Sequence, residues 1–237
     1  MTKALVVLSG GQDSTTCLAW AKQGFTEVHA ISFDYGQRHR IELDAAAKVA
    51  TILQADSHVI LPVQVVRGAS PLTTNQPLET YSDYESMDKE IGNRVELTYV
   101  PHRNLTFLLE AAKYAEQMGI RNLVAGVCQA DNANYPDCRE MFVRSLETTL
   151  NLSLGTDRGD RGKHFLLHAP LLNLSKAESI RLAQRIPDAL LALSYSHTCY
   201  AGECPPCGTC HACVLRAEGF RQAGIADPLL ERLRLTF

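Results

Sequence analysis

Leu5-Val6-Val7-Leu8-Ser9-Gly10-Gly11-Gln12-Asp13-Ser14 is the stretch that decides the fold. Four consecutive apolar residues that stop at a glycine pair read as a short buried strand. Asp13 to Lys22 carries Leu18, Trp20 and Ala21 and reads as a helix that starts directly from the turn. Working outward, Glu27 to Phe33 reads as a second strand, Ile41 to Leu53 as a helix marked by Ala45, Val49 and Ile52, and His58 to Val63 as a third strand. A helix over Leu105 to Met118, a strand over Asn122 to Val127, a helix over Glu140 to Leu152 and a strand over Phe165 to Leu167 continue the series. Such alternation implies an α/β fold, a parallel sheet with helices on both faces. Two segments interrupt it. Arg67 to Glu96 is long, polar and without periodicity, which predicts a lid or a disordered stretch. Gly155 to His164 reads as a charged surface loop, in which Arg158-Gly159-Asp160 matches an adhesion triplet by accident.

The chain has 237 residues, 46% of them hydrophobic, enough for one large domain with a small appendage. We divide it into residues 1–193, the α/β part, and 194–237, a cysteine-rich tail. A formal net charge of −3 gives no electrostatic reason to expect nucleic acid as the main partner. The N-terminal apolar run is too short for a signal peptide, and no stretch has the length of a membrane span. A cytoplasmic protein is therefore expected, in which thiols stay reduced and the eight cysteines are not a disulfide framework.

The turn after the first strand has a chemistry of its own. Gly10 and Gly11 let backbone N–H groups approach an anion, the helix start adds free donors and a favourable dipole, and Ser9, Ser14 and Thr15 add hydroxyls. A kinase-type phosphate loop would need a lysine for the terminal phosphates. None is present, so the cradle suits a pyrophosphate that stays bound while chemistry occurs at the α-phosphate. A plain glycine turn capped by Asp13 would explain Gly10-Gly11 alone, but not all six residues between a strand and a helix.

Cys199, Cys204, Cys207, Cys210 and Cys213 fall within fifteen residues. Tetrahedral zinc on four thiolates is the expected solution, with an iron–sulfur cluster as the competitor. His211 reads as a surface residue, because the thiols already suffice. The first ligand is open between Cys199 and Cys204, since Cys204-Pro205-Pro206-Cys207-Gly208 is itself a plausible zinc knuckle.

The six residues Ser9 to Ser14 resemble the PP-loop of the ATP pyrophosphatase superfamily. Further segments narrow the resemblance: Phe33-Asp34-Tyr35-Gly36-Gln37-Arg38-His39, Val100-Pro101-His102-Arg103-Asn104, Tyr135-Pro136-Asp137-Cys138-Arg139, Lys176-Ala177-Glu178, Thr198-Cys199-Tyr200, Cys207-Gly208, and Leu215-Arg216-Ala217 ahead of Gly219. In this order, over nearly the whole chain, they resemble the QueC family, which makes 7-cyano-7-deazaguanine (preQ0). That resemblance implies a Rossmann-like, adenine nucleotide alpha hydrolase-like domain with a small C-terminal zinc-binding helical segment. It implies ATP, Mg²⁺ and structural Zn²⁺, a deazaguanine carboxylate and ammonia as substrates, and a homodimer. Carried over position by position, it places Leu8, Ser9, Gly10, Gly11, Gln12, Asp13, Ser14, Thr15, Phe33 and Tyr35 at ATP. Asp13, Ser14, Arg38 and Lys176 are the expected catalytic residues. Gln37, Arg38, His102, Arg103, Asn104, Gln129, Asp131, Tyr135, Asp137 and Arg139 are expected at the substrate, and Cys199, Cys207, Cys210 and Cys213 at zinc.

Two motif segments depart from the family's pattern. His102 stands where the family usually has glycine; an imidazole there is expected to reshape the site, with a harmless surface change as the alternative reading. Gln129 and Asn132 replace a glutamate and a phenylalanine, leaving Asp131 and Asp137 to meet a guanine-like edge. These changes sit where substrate and amine should meet, so the alternative expectation is transfer of the adenylated carboxyl group to a protein amine. A tRNA-modifying enzyme of the superfamily ranks lower on charge. Arg216, Arg221, Arg232 and Arg234, mixed with Glu218 and Glu231, read as a solvated helix face.

Overall fold

A computed structural model describes residues 2–129, 134–155 and 164–234. Asp131, Asn132 and the Arg158-Gly159-Asp160 triplet lie outside the described residues. Five parallel strands, β1 (Lys3–Val7), β2 (Glu27–Asp34), β3 (Ser57–Pro62), β4 (Asn122–Val124) and β5 (Leu166–His168), form one sheet in the order β3-β2-β1-β4-β5. Successive residues of the first strand serve opposite faces, as strand geometry requires. Ala4 and Val6 enter one core with α1 (Gln12–Gly24) and α2 (Ile41–Ile52); Leu5 enters the other with α4 (Arg103–Gln117) and α5 (Glu140–Ser153). Burial on both faces is why this strand reads as a continuous apolar run. The strand order reverses at β1, between β2 and β4, which opens a crevice at the strands' carboxyl ends.

The expected strands and helices occur with ends shifted by a few residues, most at β4, which stops at Val124. The segment Arg67 to Glu96 differs from its reading. It contains α3 (Tyr84–Ile91), opened by a capping box in which the Asp83 side chain accepts from Ser86 N and Ser86 returns the bond. Met87 and Ile91, one helical turn apart, bury against Val214 and Leu215 of α8 (His211–Ala223). Tyr81 N donates to Thr209 O at 2.8 Å, and Thr80 bridges to Cys210, so this segment is stitched to the cysteine-rich tail.

The tail also packs on α6 (Lys176–Gln184) and, through α9 (Pro228–Arg234), on α7 (Ala189–Tyr195). Its arginines do not form one solvated face. Arg216 is 4% exposed; its Nε and Nη2 meet both oxygens of Asp227 at 2.6 and 2.8 Å, and Nη1 donates to Ser196 and Thr198 hydroxyls. A charge this deeply buried persists only with a full set of partners. Arg221, paired with Glu218, does stay on the surface. Among the described residues no helix is long and apolar enough to cross a membrane.

Candidate active site

The loop Ser9 to Ser14 is wired to itself. Ser14 Oγ lies 3.0 Å from Ser9 Oγ, accepts from Ser9 N and donates to Gly11 O at 3.2 Å, while Thr15 Oγ1 donates to the same carbonyl at 2.8 Å. Gly10 has φ +85° and passes so close to α2 that a Cβ there would sit 2.2 Å from Glu42 O. Gly11 is the N-cap of α1, and no side chain caps it, so the first N–H groups of the helix face the crevice. Asp13 is not the cap. Its Oδ2 receives Lys176 Nζ at 2.8 Å, from the start of α6.

Two adjoining hollows lie over this loop. The larger is lined by Leu8, Ser9, Gly11, Gln12, Asp13, Ser14, Phe33 and Tyr35, with Arg103 and Asn104 across from them. The smaller is lined by Gln12, Asp13 and Lys176 on one side and Gln129, Tyr135 and Arg139 on another. Tyr135, Cys128, Cys138, Thr198 and Tyr200 line both, so the two form one continuous cleft. Gly10 and Thr15 support the loop from behind rather than lining it.

Arg103 is the fixed cation of the larger hollow. Its guanidinium sits 6.0 Å from the Tyr35 ring centre. Burial works against its charge, but the surrounding Tyr35, Tyr135, Tyr200 and Asp137 outweigh this and hold its pKa above the usual value. Burial in turn raises the Tyr35 phenol, which Arg103 opposes. Asp137 lines neither hollow; Asn104 N reaches its carboxylate at 3.3 Å and Asn104 Nδ2 at 3.2 Å. Its carboxyl is raised by burial, against the pull of Arg103 and Asn104.

Several residues expected at the substrate or at catalysis stand elsewhere. Arg38 is exposed and donates to Gln76 O at 2.8 Å, because its side chain spans to the Arg67–Glu96 segment rather than into the cleft. Gln37 is buried and braces the turn after β2: its Oε1 accepts from Tyr35 N, and its Nε2 donates to Phe33 O and Glu42. His102 takes φ +60°, the left-handed conformation that favours glycine. Its imidazole is exposed and lines neither hollow. Gln129 lines the smaller hollow but its amide is occupied, donating to Asn173 Oδ1 at 2.5 Å and accepting from Glu140 N at 3.2 Å.

Sequence reasoning missed other lining residues: His39, Glu42, Phe107, His197 and Tyr200 in the larger hollow, and His211 in the smaller. His39, Thr198 and Tyr200 belong to segments that carry the resemblance, a signal that could have found them. His211 is not a surface residue. It is 3% exposed, and burial, followed by the nearby Lys176 charge, pulls its pKa down to about 4.

Beneath the cleft, Glu96 is 2% exposed. It accepts from Thr98 N at 2.7 Å and from Thr98 Oγ1, while Tyr135 Oη lies 3.4 Å away. Burial pushes its carboxyl up to about 7.

The Sγ atoms of Cys199, Cys207, Cys210 and Cys213 lie within 4.8 Å of one another, a set able to hold a metal ion. Cys199 Sγ accepts from Cys207 N and Cys207 Sγ accepts from Cys210 N, the backbone-to-sulfur pattern that stabilises thiolates. Hydrogen bonds from Cys210 and Cys213 hold the Cys199 thiol far below its usual value. Four convergent thiols, from the loop before α8 and its first turn, fit tetrahedral zinc. Cys204 is exposed and stands outside the group.

A parallel sheet whose first strand ends in a lysine-free glycine-pair loop at the mouth of a cleft is the architecture of a PP-loop enzyme. The model of the family "Queuosine biosynthesis protein QueC" matches residues 3–224. A 7-cyano-7-deazaguanine synthase of Laribacter hongkongensis is 51% identical over 233 residues, covering 97% of this chain and 95% of that protein. The synthase of the same name from Chromobacterium violaceum is 48% identical over 236 residues, covering 97% and 94%. The crystal structure of a 4-thiouridine synthetase–RNA complex with bound ATP is 17% identical, with a TM-score of 0.46, covering 98% of this chain and 52% of that one. The chain belongs to the QueC family, and it is an enzyme of the synthase type.

Proposed function

We propose that the chain uses ATP to convert 7-carboxy-7-deazaguanine into 7-cyano-7-deazaguanine. A carboxylate is a poor electrophile with a hydroxide-like leaving group, and adenylation removes both obstacles. The substrate carboxylate oxygen attacks the α-phosphate and pyrophosphate leaves. Ammonia adds to the acyl-adenylate and AMP departs with a proton lost from nitrogen, giving the amide. The amide oxygen then attacks the α-phosphate of a second ATP, and a second pyrophosphate leaves. Loss of AMP and of the nitrogen protons leaves the nitrile.

The observation that carries this reading is the join between two features: the lysine-free loop at one wall of the cleft, and Arg103 among Tyr35, Tyr135 and Tyr200 at the other. The loop's N–H groups and the Ser9 and Ser14 hydroxyls hold the departing pyrophosphate. Lys176 neutralises charge on the phosphates, while Leu8, Phe33 and Tyr35 pack the adenosine. Arg103 faces the substrate carboxylate, and Asn104, Tyr135 and Arg139 bound the ring. Gln37 and Asp137 position Tyr35 and Asn104 rather than touching substrate. Mg²⁺ is normally held by one or two carboxylates plus phosphates, and Asp13 at the loop fits that need. Zinc on Cys199, Cys207, Cys210 and Cys213 is structural and supplies no step. We propose a cytoplasmic homodimer, a setting in which those thiols stay reduced.

The test is incubation with ATP, Mg²⁺, the deazaguanine carboxylate and ammonium, read by chromatography and mass spectrometry. Nitrile and two AMP per turnover are expected. Absence of AMP sinks the adenylation reading; a mass added to the protein, with no nitrile, replaces ammonia by a protein amine.

A further inference from the structure

We infer that His211, with Gln12, forms the outer wall of the pyrophosphate site, so that the cysteine-rich tail supplies a direct contact to the leaving group. This rests on the adenylation reading for the identity of the ligand, but not on the identity of the base.

Both side chains are 3% exposed. Neither ring nitrogen of His211 and neither amide atom of Gln12 has a hydrogen-bond partner among the described residues. Leaving one buried polar group unsatisfied costs about 1–3 kcal/mol, and such groups are rare in folded proteins. Two such side chains line the same hollow, alongside Asp13 and Lys176. That convergence marks a site for a polar ligand rather than a packing accident.

Position narrows the ligand. Gln12 lies inside the phosphate loop at the first residue of α1, and His211 is the first residue of α8, held between Cys210 and Cys213. Lys176, paired with Asp13 of the loop, lines the same hollow. Its stem lies against α8 at Gly219, where a Cβ would come within 2.5 Å of Lys176 Cγ. A neutral imidazole and a primary amide each offer donors and an acceptor. Pyrophosphate alone would use the donors only. Pyrophosphate with its hydrated divalent cation uses both, since phosphate oxygens accept and metal-bound water donates. Magnesium keeps several waters when it binds phosphates.

The test is calorimetric titration of magnesium pyrophosphate into the full-length, zinc-loaded protein and into His211→Ala, His211→Gln and Gln12→Ala. Zinc content and thermal midpoint are measured on each variant. We expect His211→Ala to weaken pyrophosphate binding about tenfold, in line with one lost hydrogen bond to a charged group. His211→Gln, which keeps a donor, is expected to recover most of that loss. An unchanged pyrophosphate Kd in a His211→Ala protein with full zinc and an unchanged midpoint would overturn the inference. So would a rise confined to the KM of the deazaguanine carboxylate, which would turn the residue toward the base. If His211→Ala does not fold, the Gln12→Ala titration decides: an unchanged pyrophosphate Kd in a folded Gln12→Ala protein overturns it. Wild-type protein that binds pyrophosphate yet yields no AMP from the carboxylate refutes the proposed substrate and leaves this inference standing.

Discussion

Replacing Glu96 by glutamine isolates the energetic effect of a buried carboxyl beneath the active site. Folding moves this group from 4.5 to about 7, first because burial strips water from the ionised form and then because Glu79 lies nearby. The Thr98 N–H, Arg94 and Tyr135 oppose the shift without cancelling it; Tyr81 and Tyr200 also face the carboxyl. Between those two values the native state binds a proton that the unfolded chain has released. Stability is therefore full below the unfolded value, falls as pH rises through the window, and reaches its full loss above about 7. The shift corresponds to roughly 3 kcal/mol. Glu96→Gln keeps the shape and the bonds to Thr98 but has nothing to titrate. Urea unfolding of both proteins at steps from about pH 5 to about pH 8 gives the difference directly, because all other groups cancel. The glutamine protein is expected to gain roughly 3 kcal/mol on wild type across that range. Parallel stability curves would refute the assignment, and a wild-type advantage growing with pH would reverse its sign.

Arg216→Met strands the Asp227 carboxylate, 8% exposed, without its bidentate partner and is expected to cost about 3–5 kcal/mol in denaturant unfolding. Adding Asp227→Asn should return part of that loss. In Gly10→Ala the new methyl would meet backbone on two sides, Glu42 O at 2.2 Å and Ala46 N at 2.7 Å. The loop must move, and ATP affinity by calorimetry is expected to fall more than about tenfold. Cys199→Ser should lower zinc per chain, measured by elemental analysis, whereas Cys204→Ser should leave it unchanged, since Cys204 stands outside the group of four.

What the sequence determined by itself was the part written in short-range pattern. Leu5 to Ser14 specifies strand, phosphate turn and helix because periodicity, glycine pairing and helix-start chemistry all act within about a dozen residues. The cysteine spacing is local in the same sense. The capping box at Asp83 and Ser86, with Tyr84, Met87 and Ile91 at helical spacing, was also legible, and the polar character of the surrounding segment masked it. Only the tertiary structure decided where long side chains end. Arg38 and Arg103 both sit in motif segments, yet one reaches outward to Gln76 and the other inward among tyrosines, since each follows the packing of elements far away in the chain. His102 faces outward because a left-handed backbone sets its direction, and Arg216 is buried because Asp227 and the segment just after α7 close over it. His211 shows the limit most clearly. Its neighbours in sequence are cysteines, its neighbours in space are Lys176 and the phosphate loop, and only the packing of α8 against α6 brings the two together.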